Sequence, residues 1–199
     1  MNVIRWYQQE GRTFYWRTRS LSPWQWLFLE LLLKRTKAET VEKVFPSLVA
    51  KYCNPRVVVQ TKDLEMKSDL KYLGLYKQRL KALKLITRKI LEEHDGQVPL
   101  DQASLAALPH VGLYTLNAIL CFGHGERRPV VDSNVARVLT RFHGLDPPKD
   151  VREKWIWELA EKMLPRKNWR EYNFGLLDLG ATICRSHAPK CHVCYLRRC

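Results

Sequence analysis

The stretch LPHVGLYTLNAILCFGHGERRPVVDSNVAR, residues 108–137, decides how the rest of the chain is interpreted. Its first part, around Gly112, is typical of a hairpin between two helices, and its last part places Asp132 at the start of a further helix. Such a hairpin leaves backbone N–H groups pointing outward, and N–H groups at a helix N-terminus bind phosphate without any side chain. The stretch therefore predicts a phosphate-binding clamp followed along the chain by a single carboxylate.

The composition favours a polyanionic partner. Thirty-four Lys and Arg against twenty Asp and Glu give a formal net charge of +14, and a basic protein binds nucleic acid through counterion release. An acidic membrane surface is the weaker alternative. The most apolar segment, residues 24–33, contains Glu30 and is too short to span a bilayer. The first twelve residues lack the apolar core of a secretory signal, so we expect an intracellular, DNA-associated protein without a membrane segment.

The hydrophobic spacing predicts an all-α fold, because no segment alternates as a strand does. Ser22 followed by Pro23 is a typical helix start, and Pro46 is expected to kink or divide the helix that contains it. The segment GRTFYWRTRSLS, residues 11–22, is interpreted as a loop. The predicted helices cover residues 2–10, 23–33, 37–51, 62–73, 77–94, 99–107, 132–143, 150–163 and 168–183.

The predicted helix 77–94 has a strongly basic polar side. Its apolar residues, Leu80, Leu83, Ile86 and Ile90, recur at helical spacing, which predicts one buried face. The basic residues around that face are Lys77, Arg79, Lys81, Lys84, Arg88 and Lys89.

Four of the six cysteines fall in the last sixteen residues: Cys184, Cys191, Cys194 and Cys199. In an intracellular chain such a cluster indicates metal binding rather than disulfides. Zinc sites usually pair two narrow C-x2-C knuckles, whereas the spacing C-x6-C-x2-C-x4-C better suits a cubane held by four thiolates. A 4Fe-4S cluster is the first interpretation, and zinc is the alternative.

Five motifs in order resemble the helix–hairpin–helix DNA glycosylases, the family of endonuclease III and the adenine glycosylase MutY. They are PWQWLFLELLLKRT, LGLYKQR, LPHVGLYT, VVDSNVARVLTR and the terminal cysteines. Within that family the chain is most similar to the Mig-type mismatch thymine glycosylases. The resemblance implies two helical domains with DNA between them. Residues 22–130 would form a six-helix domain with the hairpin, and residues 1–21 with 131–199 an iron–sulfur cluster domain.

Three residues match catalytic positions of the family. Asp132 would stabilise positive charge on the sugar and orient water, although an aspartate there also serves as an ordinary helix N-cap. Tyr114 stands where endonuclease III has its Schiff-base lysine, and a phenol forms no imine; the alternative is aromatic packing. Glu30 lies in an apolar helix, where desolvation should raise its pKa and make it a proton donor. A buried ion pair with an arginine is the alternative.

Three further segments match DNA-contacting positions of the family. The basic run after the first long helix would meet the strand opposite the target base, unless it is only a solvated face. The LGLYKQR turn would wedge into the duplex, or merely pack. The residues expected to contact DNA are Lys34, Arg35, Lys37, Tyr76, Gln78, and, in the hairpin, His110, Val111, Gly112 and Thr115.

The resemblance implies a monofunctional glycosylase, expected to be a monomer, that removes thymine or uracil opposite guanine from double-stranded DNA. Because the sequence ends at the cysteines, we expect no counterpart of the extra domain with which MutY reads an oxidised guanine. The alternatives are an adenine or other damaged-base glycosylase and a non-catalytic iron–sulfur DNA-binding protein. His110 replaces the first glycine of the family hairpin, so either a left-handed backbone there is strained or the hairpin adopts another turn. The final cysteine gap of four residues also departs from the family's five.

Overall fold

The computed structural model describes residues 3–196, and every regular element in that range is helical. The chain divides into two compact units. One comprises Thr13–Ile119, and the other combines the N-terminal residues up to Arg12 with the residues from Leu120 onward. The all-α fold predicted from the sequence is confirmed. The proposed assignment of residues 22–130 to one domain stays a prediction.

The Thr13–Ile119 unit is built around helix α3 (Pro23–Leu33). Ser22 caps α3 through its hydroxyl, which accepts from the Gln25 N–H at 3.3 Å, while the Gln25 side chain accepts from the Ser22 N–H at 2.8 Å. This capping box confirms the predicted helix start. Nearly the whole of α3 is buried. The helices of this unit are α2 (Tyr15–Thr18), α3 (Pro23–Leu33), α4 (Ala38–Glu42), α5 (Phe45–Lys51), α6 (Pro55–Gln60), α7 (Asp63–Leu70), α8 (Tyr76–Glu93), α9 (Gln102–Ala106) and α10 (Leu113–Ala118).

Two short helices of this unit were missed by the sequence analysis. The segment predicted as a loop contains α2, in which Trp16 is buried and its ring meets Phe45 edge-on at 5.6 Å. The other is α6, whose run of three valines has weak intrinsic helix propensity. Asn54 caps α6 by accepting from the Val57 N–H at 3.2 Å, and Val58 is fully buried. Tertiary packing therefore overrides propensity at both places.

Other boundaries shift by a few residues. Pro46 lies in the first turn of α5, so the predicted helix 37–51 is divided in two. A 3₁₀ turn, Lys71–Leu73, separates α7 from Gly74. The predicted helix 99–107 is only Gln102–Ala106, with Asp101 as its N-cap. A π-helical turn, Ile119–Gly123, follows α10.

The second unit contains α1 (Val3–Glu10), α11 (Ser133–His143), α12 (Lys154–Met163) and α13 (Trp169–Thr182). Helix α13 packs against both α1 and α11, and two glycines permit the close approach. A Cβ on Gly175 would lie 2.5 Å from Val3 Cγ1, and one on Gly180 would lie 2.7 Å from Asn134 Cβ. The apolar core of this unit includes Val3, Trp6, Leu139, Ile156 and Leu176.

Among the described residues, no helix is both long and apolar enough to cross a membrane.

Candidate active site and nucleic-acid interface

The hairpin joins α9 to α10 through a left-handed residue. His110 has φ 65°, so the position where the family has glycine does adopt the conformation that glycine favours, at a cost of about 1–2 kcal/mol for another residue. His110 and Gly112 are exposed, Val111 is half-buried and Thr115 is buried. No heavy atom lies within 4 Å of a Cβ built on Gly112, so its backbone is open to an approaching ligand.

Lys34, at the end of α3, is hydrogen-bonded to this hairpin. Its ammonium group donates a hydrogen bond to the backbone carbonyl of His110. Burial lowers the pKa of Lys34, and the negative charge of Glu30 partly offsets that effect. Burial, and then the charge of Lys34, lowers the pKa of His110. Two segments that the sequence assigned separately to DNA contact are thus joined.

The turn before α8 is joined to the same region. Thr36 donates through its hydroxyl to the Leu73 carbonyl at 3.3 Å, and Arg79 hydrogen-bonds to residues on both sides of the junction. Arg79 is only 5% exposed, so placing it among the basic residues of the polar side of the helix was wrong. Its burial was not predicted because helical spacing by itself treats any basic residue as polar surface.

Leu75 is an exposed apolar residue of that turn. Its φ is 47° and its exposed fraction is 41%, whereas Tyr76 is half-buried and Gln78 is exposed. A large apolar side chain on an exposed turn has the character of a wedge between stacked bases. Leu75 was not singled out from the sequence, although an apolar residue directly after Gly74, where a polar turn residue is usual, was the available signal.

Glu30 and Tyr114 also belong to the Thr13–Ile119 unit. Glu30 is 4% exposed on α3, as expected for a carboxyl group surrounded by apolar residues, and its charge acts on Lys34. Tyr114 is half-buried in the first turn of α10. The elevated pKa expected for Glu30 and the catalytic positions of both residues stay predictions.

Asp132 lies in the other unit, where its carboxylate is fixed by two donors. Its Oδ1 accepts from the Val135 backbone N–H at 2.8 Å, and its Oδ2 accepts from the Asn134 side-chain amide at 2.7 Å. Asp132 is therefore the N-cap of α11. Capping does not exclude chemistry, because each carboxylate oxygen has a second lone pair and the residue is only half-buried.

The hydrogen bonds continue from Asp132 to the first cysteine of the C-terminal loop. Asn134 Oδ1 accepts from Arg137 at 2.9 Å. The Arg137 guanidinium also donates to the carbonyls of Gly180 and Cys184, both at 2.8 Å. This series of hydrogen bonds could not be predicted from the sequence, because Arg137 and Cys184 are 47 residues apart.

Three of the four candidate cluster ligands line one cavity of about 310 Å³: Cys184, Cys191 and Cys194. Cys199 lies outside the described residues. Arg141 also lines the cavity, and its guanidinium lies 3.6 Å from Cys184 Sγ. Among residues 3–196, no three His, Cys, Asp or Glu side chains are grouped to hold a single metal ion. A cubane binds each thiolate to a different iron, so thiols arranged around a cavity beside a positive charge fit that cofactor.

A hairpin between helices, an aspartate that caps a later helix and a cysteine loop together define a DNA-repair protein of the helix–hairpin–helix class. Residues 29–162 match the HhH-GPD superfamily of base excision DNA repair proteins. The chain belongs to this family, which confirms the resemblance inferred from the motifs.

Individual relatives extend the similarity over nearly the whole chain. The thymine/uracil-DNA glycosylase of Methanothermobacter thermautotrophicus is 34% identical over 193 residues, which is 96% of this chain and 87% of that protein. The adenine DNA glycosylase of Mycobacterium tuberculosis is also 34% identical, over 100% of this chain but only 66% of its own length. The solved structure of a thermostable thymine-DNA glycosylase superposes with a TM-score of 0.91 at 33% identity, covering 98% of this chain and 89% of that one.

Proposed function

We propose that the protein is a monofunctional DNA glycosylase that hydrolyses the N-glycosidic bond of a flipped thymine or uracil opposite guanine. The observation that carries the chemistry is Asp132, a partly exposed carboxylate held by two N–H donors at the start of α11. The similarity to thymine/uracil-DNA glycosylases supports the choice of base. A duplex with a mismatched base is the partner, since the target must leave the base stack before the bond is reached.

The fixed carboxylate suits a reaction that builds positive charge on the sugar. As the glycosidic bond breaks, the base leaves with the bonding electron pair and the sugar becomes oxocarbenium-like. Asp132 stabilises that charge and orients the water whose oxygen bonds to the sugar carbon, while the water's proton passes to solvent or to the departing base. Hydrogen bonds from Val135 and Asn134 preorganise the carboxylate, so it reorganises little during the reaction.

Tyr114 is the basis for expecting no lyase step. A phenol at this position forms no imine with the opened sugar, so the abasic product should leave the enzyme with its strand intact. Borohydride should trap no covalent protein–DNA adduct, and strand breaks should appear only after hot alkali. An adduct trapped from the wild-type protein would contradict the monofunctional assignment.

Removal of adenine is the second candidate function, because Glu30 is a buried carboxyl group and an adenine DNA glycosylase is also 34% identical to this chain. Adenine leaves after its ring is protonated, whereas a pyrimidine leaves as an anion stabilised by hydrogen bonds. A proton donor at Glu30 would serve the first reaction. Glu30→Gln would therefore abolish adenine release but not thymine release.

The deciding experiment is base release from a small panel of duplexes containing G·T, G·U, an adenine opposite 8-oxoguanine, or hypoxanthine. Cleavage with hot alkali after incubation reports every base lost. Release from G·T and G·U supports the proposal, release of adenine alone replaces it with the second candidate, and no release from any duplex removes the enzymatic assignment. In the last case a non-catalytic DNA-binding protein remains.

We infer that Cys184, Cys191 and Cys194, together with Cys199, hold a 4Fe-4S cluster. When bound, the cluster would cross-link the C-terminal loop through its iron–thiolate bonds. Arg141 would offset the negative charge of the thiolates, and the carbonyl of Cys184 would still anchor Arg137.

Cysteine substitutions test the cluster assignment. Cys194→Ser should remove the broad absorbance at about 400 nm that thiolate-bound iron–sulfur clusters give. Cys121→Ser is the matched control, because Cys121 is a buried thiol whose pKa burial raises to about 11. Bound zinc without that absorbance, or an unchanged spectrum in Cys194→Ser, would contradict the assignment.

A further inference from the structure

Arg79 uses its whole guanidinium group to join two segments of the Thr13–Ile119 unit. One nitrogen donates to the carbonyls of Leu31 and Leu32, each at 2.7 Å. The second donates to the Lys34 carbonyl at 2.9 Å and to the Thr36 hydroxyl, and Nε donates to the Gly74 carbonyl at 3.2 Å. A guanidinium has five N–H donors, and these five contacts account for all of them.

The carbonyls that Arg79 binds in α3 are those at its C-terminal end. The last carbonyls of a helix lack intrahelical donors and carry the negative end of the helix dipole, so a buried cation is stabilised there without a carboxylate partner. Burial lowers the pKa of Arg79, but a guanidinium remains charged. The charged guanidinium of Arg79 therefore holds backbone carbonyls in position and does not form an ion pair with any carboxylate of the described residues.

The two segments that Arg79 joins each contain a strained residue. Arg35 has φ 56° and lies between Lys34 and Thr36, both of which bind Arg79. Leu75 has φ 47° and directly follows Gly74, whose carbonyl Arg79 also binds. Non-glycine residues keep a left-handed backbone only where their surroundings hold them there. Arg79 supplies those surroundings for both residues at once.

We propose that Arg79 is a positioning residue that holds Arg35 and Leu75 in the conformations in which they meet the duplex. The inference rests on the proposed function, because Arg35 and Leu75 meet a duplex only if the protein acts on DNA. Loss of Arg79 should then impair extrusion of the target base and its release more than it impairs binding to undamaged DNA. General binding comes from the net charge of the protein, which a single substitution barely changes.

Lys84 offers a matched control on the same helix. It is a partly buried cation of α8 that binds carbonyls at the end of another helix, donating to Val59 at 3.0 Å and to Thr61 at 2.5 Å. Both carbonyls lie at the C-terminal end of α6, outside the segments around Arg35 and Leu75. Arg79→Met and Lys84→Met therefore each remove one charge and one carbonyl-binding group, but only the first releases the proposed DNA-contacting segments.

Hydrogen exchange of the free protein tests the positioning without any catalysis. Backbone amides of residues 35–36 and 74–76 should exchange faster in Arg79→Met than in wild type, and should be unchanged in Lys84→Met. Thr36→Val removes only the hydroxyl that links Arg79 to the Leu73 carbonyl. This variant should show a smaller change of the same kind, and it provides the test if Arg79→Met does not fold. Unchanged exchange at these amides in the folded Arg79 variant, or in Thr36→Val if it alone folds, overturns the proposal.

A duplex with a fluorescent base analogue beside the mismatch tests the consequence. Arg79→Met should lose most of the fluorescence rise on binding, and its single-turnover rate should fall by about tenfold or more, since small misplacements cost that much. Affinity for undamaged duplex should stay within about threefold, and Lys84→Met should match wild type throughout. Equal losses in the two variants overturn the proposal. Failure of the wild type to release any base would instead reject the proposed function, and the hydrogen-exchange result would still decide whether Arg79 positions the segments.

Discussion

The two units hold their candidate functional residues in different ways. In the Thr13–Ile119 unit, Lys34 and Arg79 bind backbone carbonyls, which fixes the course of the chain and leaves side chains such as Arg35 and Gln78 exposed. In the other unit, hydrogen bonds fix a side chain, the carboxylate of Asp132, and continue to the Cys184 carbonyl. Binding to DNA requires backbone segments held in position with their side chains exposed. Catalysis requires a functional group that is itself held in position.

Removing the charge of Asp132 should give the largest effect and tests the catalytic side of this comparison. Asp132→Asn keeps a side-chain oxygen for the cap but loses the carboxylate, so base release should fall by about 10²–10³-fold or more while DNA binding persists. Single-turnover rates and a gel-shift titration measure the two quantities. Asp101→Asn is the control, because Asp101 also caps a helix, accepting from the Ser104 N–H at 2.8 Å. Full activity in Asp132→Asn would remove this residue from catalysis.

A methyl group at Gly180 should give the next largest effect by displacing the support of Asp132. A Cβ there would meet Asn134 at 2.7 Å, including backbone atoms at 3.0 and 3.1 Å, so Gly180→Ala should cost about 1–3 kcal/mol of stability and slow base release. Gly175→Ala crowds Val3 instead and should lower stability to a similar extent without a matching loss of rate. Thermal unfolding and single-turnover assays separate the two. Equal rate losses would show that Asn134 has no special part in placing Asp132.

Neutralising single exposed cations should give the smallest effect and tests the DNA-contacting side. Arg35→Ala and Lys37→Ala should weaken binding similarly for all duplex sequences and lower the slope of log affinity against log salt by about one each. Lys154→Ala is the control, since Lys154 is an exposed cation of α12 paired with Glu158 at 3.1 Å. The measurement is a salt titration of duplex affinity. An unchanged slope in both variants would show that this run is only a solvated face.

Much of the fold was predictable, because helix ends depend on residues close in sequence. Ser22 and Asp132 start helices where the sequence placed them, and Gly11 ends α1 as expected. The helices that were missed, α2 and α6, are short, and their burial in the core outweighs their local signals. The start predicted near Pro99 shifted because Asp101 caps α9 two residues later. The start predicted near Asp150 shifted to Lys154, where no side chain caps α12.

The candidate site was predictable only in part. The sequence singled out Asp132, Lys34 and the hairpin from motif positions, and it marked His110 as a departure from the motif. That His110 keeps a left-handed backbone is seen only in the structure. Leu75 and Arg79 were not singled out. Whether an apolar residue is exposed or a basic one is buried depends on what packs around it, and a motif does not state that.

The sequence by itself determined the helical class, the positive charge, the glycosylase motifs and the cysteine spacing, because each of these is a property of neighbouring residues or of composition. Only the tertiary structure decided that Arg79 binds the end of α3, 48 residues away at Leu31, and that Asp132 is linked through Asn134 and Arg137 to Cys184. Both arrangements consist of directional hydrogen bonds between distant segments. Such bonds form only once packing has brought donor and acceptor within about 3 Å of each other.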